Sequence, residues 1–217
     1  PYTVFDYTPT RSREGPAQFL NNFTGSPEHP RYLQCDAYPG YDRLLAEDRH
    51  LLEVGCWAHA RRKFHDARDS DPVRAHQAIL KIGELYAVER DAKDNGISGA
   101  DLRALRQEKA RPLLDGLYAW LIDAKQAVLP KSPVGKAVDY ALSNWAALNR
   151  YTDHSFLAID NNAAERAVRA IAVGRKNWLF FGSDQGGHAA AIHFSLISIA
   201  QRHWLDPFAY LRDLFIH

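Results

Sequence analysis

The hydrophobic pattern changes character partway along the chain. In the first third, apolar and β-branched residues come in short runs: "YTVFDYT" (residues 2–8), "RYLQCDAY" (31–38) and "HLLEVGCW" (50–57). Runs of this length and composition predict strands, and "PAQFLNNF" (16–23) predicts a short helix between the first two. Pro39 and Gly40 mark a turn after the second strand, and "YDRLLAE" beyond it reads as helical. From Cys56 onward the period lengthens. "WAHARRKFHDARDSD" is amphipathic, and from Pro72 to about Leu129 nearly every residue is a helix former, with Ile79, Leu80, Ile82, Leu85 and Val88 at helical spacing. "DNGISG" (94–99) breaks this stretch into two arms, like a hairpin. "KSPVG" (131–135) closes it and opens a helix whose Val134, Ala137, Val138, Ala141, Leu142, Trp145 and Leu148 recur at three and four residues. Helix, short loop and helix then carry the chain to Phe215.

The pattern predicts an α/β domain: a small mixed sheet with flanking helices and an all-helical insertion of some 60 residues. The expected segments are residues 1–70 as the first part of the core, 71–133 as the insertion, and 134–217 as the second part with the C-terminal helices. A length of 217 residues at 46% hydrophobic allows a real core. The net charge is only +1, so any nucleic-acid reading must rest on local patterning. Cys35 and Cys56 sit in no secretory context, and no apolar run approaches the roughly 18 residues of a membrane span, which points to a reducing, cytoplasmic setting. The chain has no methionine and begins within a strand-like pattern, so a preceding segment is expected.

Three stretches carry candidate chemistry. In "IDNNAAERAVRAIAVGRKNWLFFG" (159–182), Asp160 or Asn161 can cap a helix. Ala164, Ala167, Val168 and Ile171 then share one face, expected to be core, while Asn162, Glu165, Arg166 and Arg169 share a polar one. That polar face is either a solvated surface with a Glu165–Arg169 pair or a functional carboxylate among cations. In "LQCDAYPGY", Asp36 ends an apolar strand, where ligands gather in open α/β sheets, although an aspartate there can equally start a turn. In "VGCWAHARRKF", Cys56-x-x-His59 could open a zinc site, but no second ligand pair has recognisable spacing. Arg61, Arg62 and Lys63 form a basic cluster, either solvated or facing phosphate.

Taken together and in this order, "CDAYPGY", "VGCWAHARRKF" and "DNNAAERAVRAIAVGRKNWLFFGSDQGG" resemble the C-terminal catalytic region of insertion sequence 66 family transposases, a branch of the DDE transposases. The likeness covers nearly the whole chain and is weakest from about Asp71 to Pro133. It implies an RNase H-like (retroviral-integrase-like) fold whose N-terminal strands lie outside this chain. It further implies three carboxylates binding two divalent ions, Mg²⁺ or Mn²⁺, the second acid matching Asp36 and the third Glu165. The family's first carboxylate is expected upstream of Pro1. The reaction implied is DNA cleavage at transposon ends, followed by attack of the freed 3′-hydroxyl on target DNA. Arg61, Arg62, Asn161, Asn162, Arg166, Arg169, Arg175 and Lys176 are the candidate DNA contacts. The expected partners are transposon-end and target DNA, a homodimer or higher oligomer, and accessory proteins of the same element, with no membrane and a nucleoid-associated cytoplasmic location. The rival readings are an RNase H-like nuclease, a non-catalytic DNA-binding or assembly module, and a helical scaffold.

Overall fold

A computed structural model of the chain describes residues 2–10, 12–178 and 181–217, with backbone alone at 170 and 175–178. The fold is mixed α/β and mostly helical. Its contacts divide the chain into two compact units that cut across the three segments expected from the pattern. A central unit comprises Thr24–Tyr38 and Asp42–Asn161; a terminal unit comprises the chain up to Phe23, Pro39–Tyr41 and Asn162–His217.

The central unit starts from a parallel pair of short strands, β1 (Arg31–Gln34) and β2 (Leu51–Val54), in register from Arg31 opposite Leu51 to Gln34 opposite Val54. Parallel strands need a crossover, and helix α2 (Asp42–Glu47) lies in it. Helices α3 (Trp57–Asp66), α4 (Pro72–Asp94), α5 (Gly99–Leu105), α6 (Arg111–Ala127), α7 (Pro133–Ser143) and α8 (Trp145–Asn149) follow, with a π-helical segment, Arg106–Ala110, between α5 and α6. Local chemistry sets their ends. Asp71 caps α4 by accepting from the Arg74 N–H at 3.0 Å, and Ser132 caps α7 by accepting from the Gly135 N–H at 3.1 Å. Proline follows each cap, where its missing N–H costs nothing. The loop between α4 and α5 holds Gly96 and Gly99 at positive φ, which is how "DNGISG" breaks the helical run.

One hydrophobic cluster joins all of this. Val54, Trp57, Phe64, Ile82, Leu85, Leu114, Leu117, Leu121, Val138, Leu148 and Tyr151 are enclosed together, so the 71–133 segment shares its core with α3 and α7. Full burial of each large side chain contributes about 1.5–3 kcal/mol. The Trp57 indole N–H donates to the Leu148 carbonyl at 2.8 Å, so the ring is buried without an orphaned donor. Gly55 gives α8 its close approach: its N–H donates to the Ala147 carbonyl at 2.8 Å, and a Cβ there would meet Leu148 at 3.0 Å.

The terminal unit contains α1 (Glu14–Phe19), a 3₁₀ turn at Pro39–Tyr41, α9 (Asn162–Trp178), α10 (Asp184–Arg202) and α11 (Pro207–Ile216). Here two sequence expectations are corrected. "YTVFDYT" is not a strand: among the described residues, strand pairing is confined to β1 and β2. A strand needs a ladder partner, and this segment is held instead by side chains, with the Phe5 N–H donating to Ser195 Oγ at 2.8 Å and the Tyr7 hydroxyl to Asp184 at 2.9 Å. The Tyr7 ring fits because residue 187 is glycine; a Cβ there would come within 2.5 Å of it. The sheet is accordingly parallel and two-stranded, where a mixed sheet was expected. Second, the apolar face of α9 is not core: Ala164 and Val168 are exposed, while Ala167 and Ile171 are half-buried. Helical spacing selects a face, but only packing decides whether it is covered. Among the described residues, no helix is long and apolar enough to cross a membrane.

Candidate active site

Asp36 stands just beyond the carboxyl end of β1, and Cys56 just beyond that of β2. Parallel strands deliver their C-terminal ends to one edge, so Asp36 and the start of α3 meet there. His59 Nε2 lies 3.8 Å from Asp36 Oδ2. The Tyr140 hydroxyl of α7 donates to the Asp36 backbone carbonyl at 3.2 Å, and Lys63 Nζ sits 4.4 Å from the centre of the Tyr140 ring. The carboxylate itself is 45% exposed and thus open to a ligand. Ala37, the next residue, has φ of 59°, a left-handed conformation that costs a non-glycine residue about 1–2 kcal/mol. Such strain tends to concentrate at functional sites.

Both thiols are buried and free. Burial is the main reason the Cys35 thiol is pushed up to about 12, and it also raises Cys56, against the opposing pull of the Asn161, His59 and Ala58 backbone N–H groups. Neither is poised as a thiolate nucleophile. Among the described residues no group of three His, Cys, Asp or Glu side chains is arranged to hold a metal ion, so Cys56-x-x-His59 gains no zinc partners from the fold. Sequence reasoning placed His59 in that motif and missed its position beside Asp36, because the contact joins two strand ends.

Ile159 and Asp160, which open the "IDNNAAER" motif, are held within the central unit. The Trp57 N–H donates to the Ile159 carbonyl at 3.1 Å, and the Tyr86 hydroxyl of α4 donates to Asp160 Oδ2 at 2.9 Å. Burial first, then the Asp160 carboxylate, raises the Tyr86 phenol above its ordinary value, against a smaller opposing effect of Arg61, so it remains a donor. Nothing in the sequence pairs Tyr86 with Asp160, 74 positions away. α9 begins at Asn162, but the expected cap at Asn161 is not made by its side-chain oxygen, which is enclosed and accepts no hydrogen bond.

Of the candidate residues, Asp36, Arg61, Arg62 and Asn161 belong to the central unit, and Asn162, Glu165, Arg166 and Arg169 to the terminal unit. Arg61 and Arg62 are exposed on α3. Glu165 lies in the first turn of α9 and is half-buried, as is Asn162; Arg166 and Arg169 are exposed. The side chains of Arg175 and Lys176 lie outside the described residues.

Comparison with known proteins decides the family. The transposase IS66 family is matched by residues 1–189. The chain belongs to the IS66 family of transposases. This is a DDE transposase family, which works on nucleic acid and generally uses divalent metal ions. Three proteins of Sinorhizobium fredii (strain NBRC 101917 / NGR234) are similar to this IS66 family chain along nearly all of its length. The uncharacterized protein y4hP is 32% identical over 230 residues, covering 99% of this chain and 40% of that protein. The uncharacterized protein y4jD is 32% identical over 220 residues, 99% and 42% respectively, and y4qI 31% over 218 residues, 97% and 39%. The chain therefore spans about two fifths of these relatives. No solved structure matches it.

Proposed function

We propose that this chain is the catalytic region of a DNA transposase, in which Asp36 and Glu165 hold two divalent ions, Mg²⁺ or Mn²⁺, for strand cleavage and transfer of a 3′-hydroxyl to target DNA. The observation that carries the reading is the position of Asp36: an open carboxylate at the C-terminal edge of a parallel strand pair, in a chain whose family match extends over both acid-bearing motifs. The parallel β1–α2–β2 crossover also agrees with an RNase H-like core, further strands and the first carboxylate coming from elsewhere in the full protein.

The donor chemistry fits the ions. Mg²⁺ takes hard oxygen ligands and keeps several waters, so a few carboxylates from separate elements suffice when substrate phosphate supplies the rest. Bound there, the ions would activate the attacking oxygen and stabilise the leaving oxygen of an in-line displacement at phosphorus. The protein's part is to bring Asp36 and Glu165 to one place and to hold the phosphodiester backbone beside them. Arg61, Arg62, Arg166, Arg169, Arg175 and Lys176 neutralise phosphates, and Asn161 and Asn162 position the DNA or the loop. Binding is then largely independent of sequence and weakens steeply with salt, because neutralised phosphates release counterions. The active complex is a dimer or higher oligomer on transposon-end and target DNA, with accessory proteins of the same element as further partners.

The test uses the full-length protein with Mg²⁺ and transposon-end DNA. Glu165→Gln and Asp36→Asn abolish cleavage and joining while leaving the salt dependence of DNA binding nearly intact. Arg169→Ala weakens binding and flattens the log–log salt slope by about one unit. A Glu165→Gln enzyme that still cuts and joins DNA sinks the assignment, and cleavage without joining in the unaltered protein makes it a nuclease.

A further inference from the structure

Residues 159–161 are the last of the central unit before α9, and all three are tied down. Ile159 accepts from the Trp57 N–H at the start of α3, the Asn161 N–H is directed at the Cys56 thiol, and Asp160 accepts from the Tyr86 hydroxyl at 2.9 Å. The first two ties come from the strand-end edge that carries Asp36. The third comes from α4, in the stretch where the resemblance to the family is weakest, and of the three it is the one that joins two side chains. Tyr86 is half-buried on a helix whose Ala78, Ile82, Leu85 and Val88 are locked into the main core, so its hydroxyl is held by a rigid support. Glu165 follows Asp160 by little more than one helical turn, and the helix between them has few internal ways to absorb a shift at its start.

We infer that Tyr86 is a positioning residue for the catalytic helix: through Asp160 it fixes the point at which the chain enters α9, and so where the Glu165 carboxylate can be held. This rests on the assignment of Glu165 as an ion ligand and gives the 71–133 helices a part in the reaction. Partners that hydrogen-bond a metal's own ligands change metal affinity or activity about 10- to 100-fold when lost, and a tie one step further out is expected at the lower end of that range.

The experiment compares full-length wild type with Tyr86→Phe, which keeps the ring and removes only the hydroxyl, and with Asp160→Asn, which keeps an acceptor oxygen. Tyr86→Phe should lower Mg²⁺-dependent strand cleavage by about tenfold or more at saturating DNA, with DNA affinity and its salt slope unchanged. In the ion-free protein, amide hydrogen exchange should quicken in a peptide spanning 159–170 and stay unchanged in α6. Asp160→Asn should retain most of the turnover, because the Tyr86 hydroxyl still has an oxygen to donate to. Wild-type turnover and exchange in Tyr86→Phe overturn the proposal. So does faster exchange throughout the central unit, which would make Tyr86 ordinary core support. Glu165→Gln separates the two levels: if it is inactive while Tyr86→Phe is fully active, only the positioning role fails; if it is active, the ligand assignment fails first.

Discussion

The two units put their apolar side chains to different use. In the central unit, Trp57, Phe64, Ile82, Leu85, Leu117 and Leu121 are sealed in one cluster, and one charged side chain is enclosed with its partners. The Arg106 guanidinium, 2% exposed, pairs with Glu89 at 2.8 and 2.7 Å and donates from Nη1 to the carbonyls of Tyr151, His154 and Leu157. In the terminal unit, the buried hydrophobic side chains among the described residues come down to Ala200, while Trp204 is 96% exposed and Phe208 75%. That unit is held by caps and ring contacts: Ser183 and Asp206 cap α10 and α11, and Tyr7 meets Phe181 and His188 edge-on. The lesson is that stability and chemistry are unevenly shared. The unit with the closed core carries Asp36 on its rim, and the other carries Glu165 and the cationic residues of α9. Elements with few buried contacts open at lower free energy, and such elements are the ones that move when a partner binds.

Substitutions in the 217-residue chain, followed by urea unfolding, can break or sharpen this contrast. The largest losses are expected in the central core. Arg106→Ala should cost about 3–5 kcal/mol, since it strands the Glu89 carboxylate and three carbonyls, and Phe64→Ala a similar amount through the cavity it leaves. A loss under about 1 kcal/mol at either site would mean the core is looser than its packing implies.

A middle-sized effect belongs to the cap of α4. Asp71→Ala should cost about 1 kcal/mol, because it removes the acceptor of the Arg74 N–H. The same carboxyl makes a pH test. The Arg74 side chain, then its backbone N–H, donates to Asp71 and holds its pKa below the ordinary aspartate value. A lowered folded-state pKa contributes stability that is fully present above about pH 4 and is lost as pH falls through the lowered value. Wild type should therefore lose part of its advantage over Asp71→Ala in acid, and the difference should be flat from pH 5 to 7.

The smallest effects should come from the exposed aromatics of the terminal unit. Trp204→Ala and Phe208→Ala are expected to change stability by no more than about 0.5 kcal/mol, because both side chains stay largely in water. A cost comparable to that of Phe64→Ala would show a core in the terminal unit and erase the contrast.

What the sequence determined by itself is what depends on near neighbours. Ile82, Leu85 and Val88 fall on one side of a helix because the chain repeats every 3.6 residues, and all three are buried. Ser132 precedes Pro133 and caps α7, Gly96 and Gly99 break the helical run, and the short runs at 31–34 and 51–54 pair as strands. The acid-bearing motifs were legible as well, since the family likeness resides in their order and composition. The tertiary structure decided everything that needs a partner. "YTVFDYT" has strand composition but no neighbouring ladder, so it forms no strand and is fastened by Ser195 and Asp184. The apolar stripe of α9 has helical spacing, yet Val168 is about half exposed. Tyr86 and Asp160, or Arg106 and the carbonyls of 151–157, lie too far apart in sequence for any periodicity to link them. A repeat within one element fixes which face a residue occupies; the path of the whole chain fixes what that face meets.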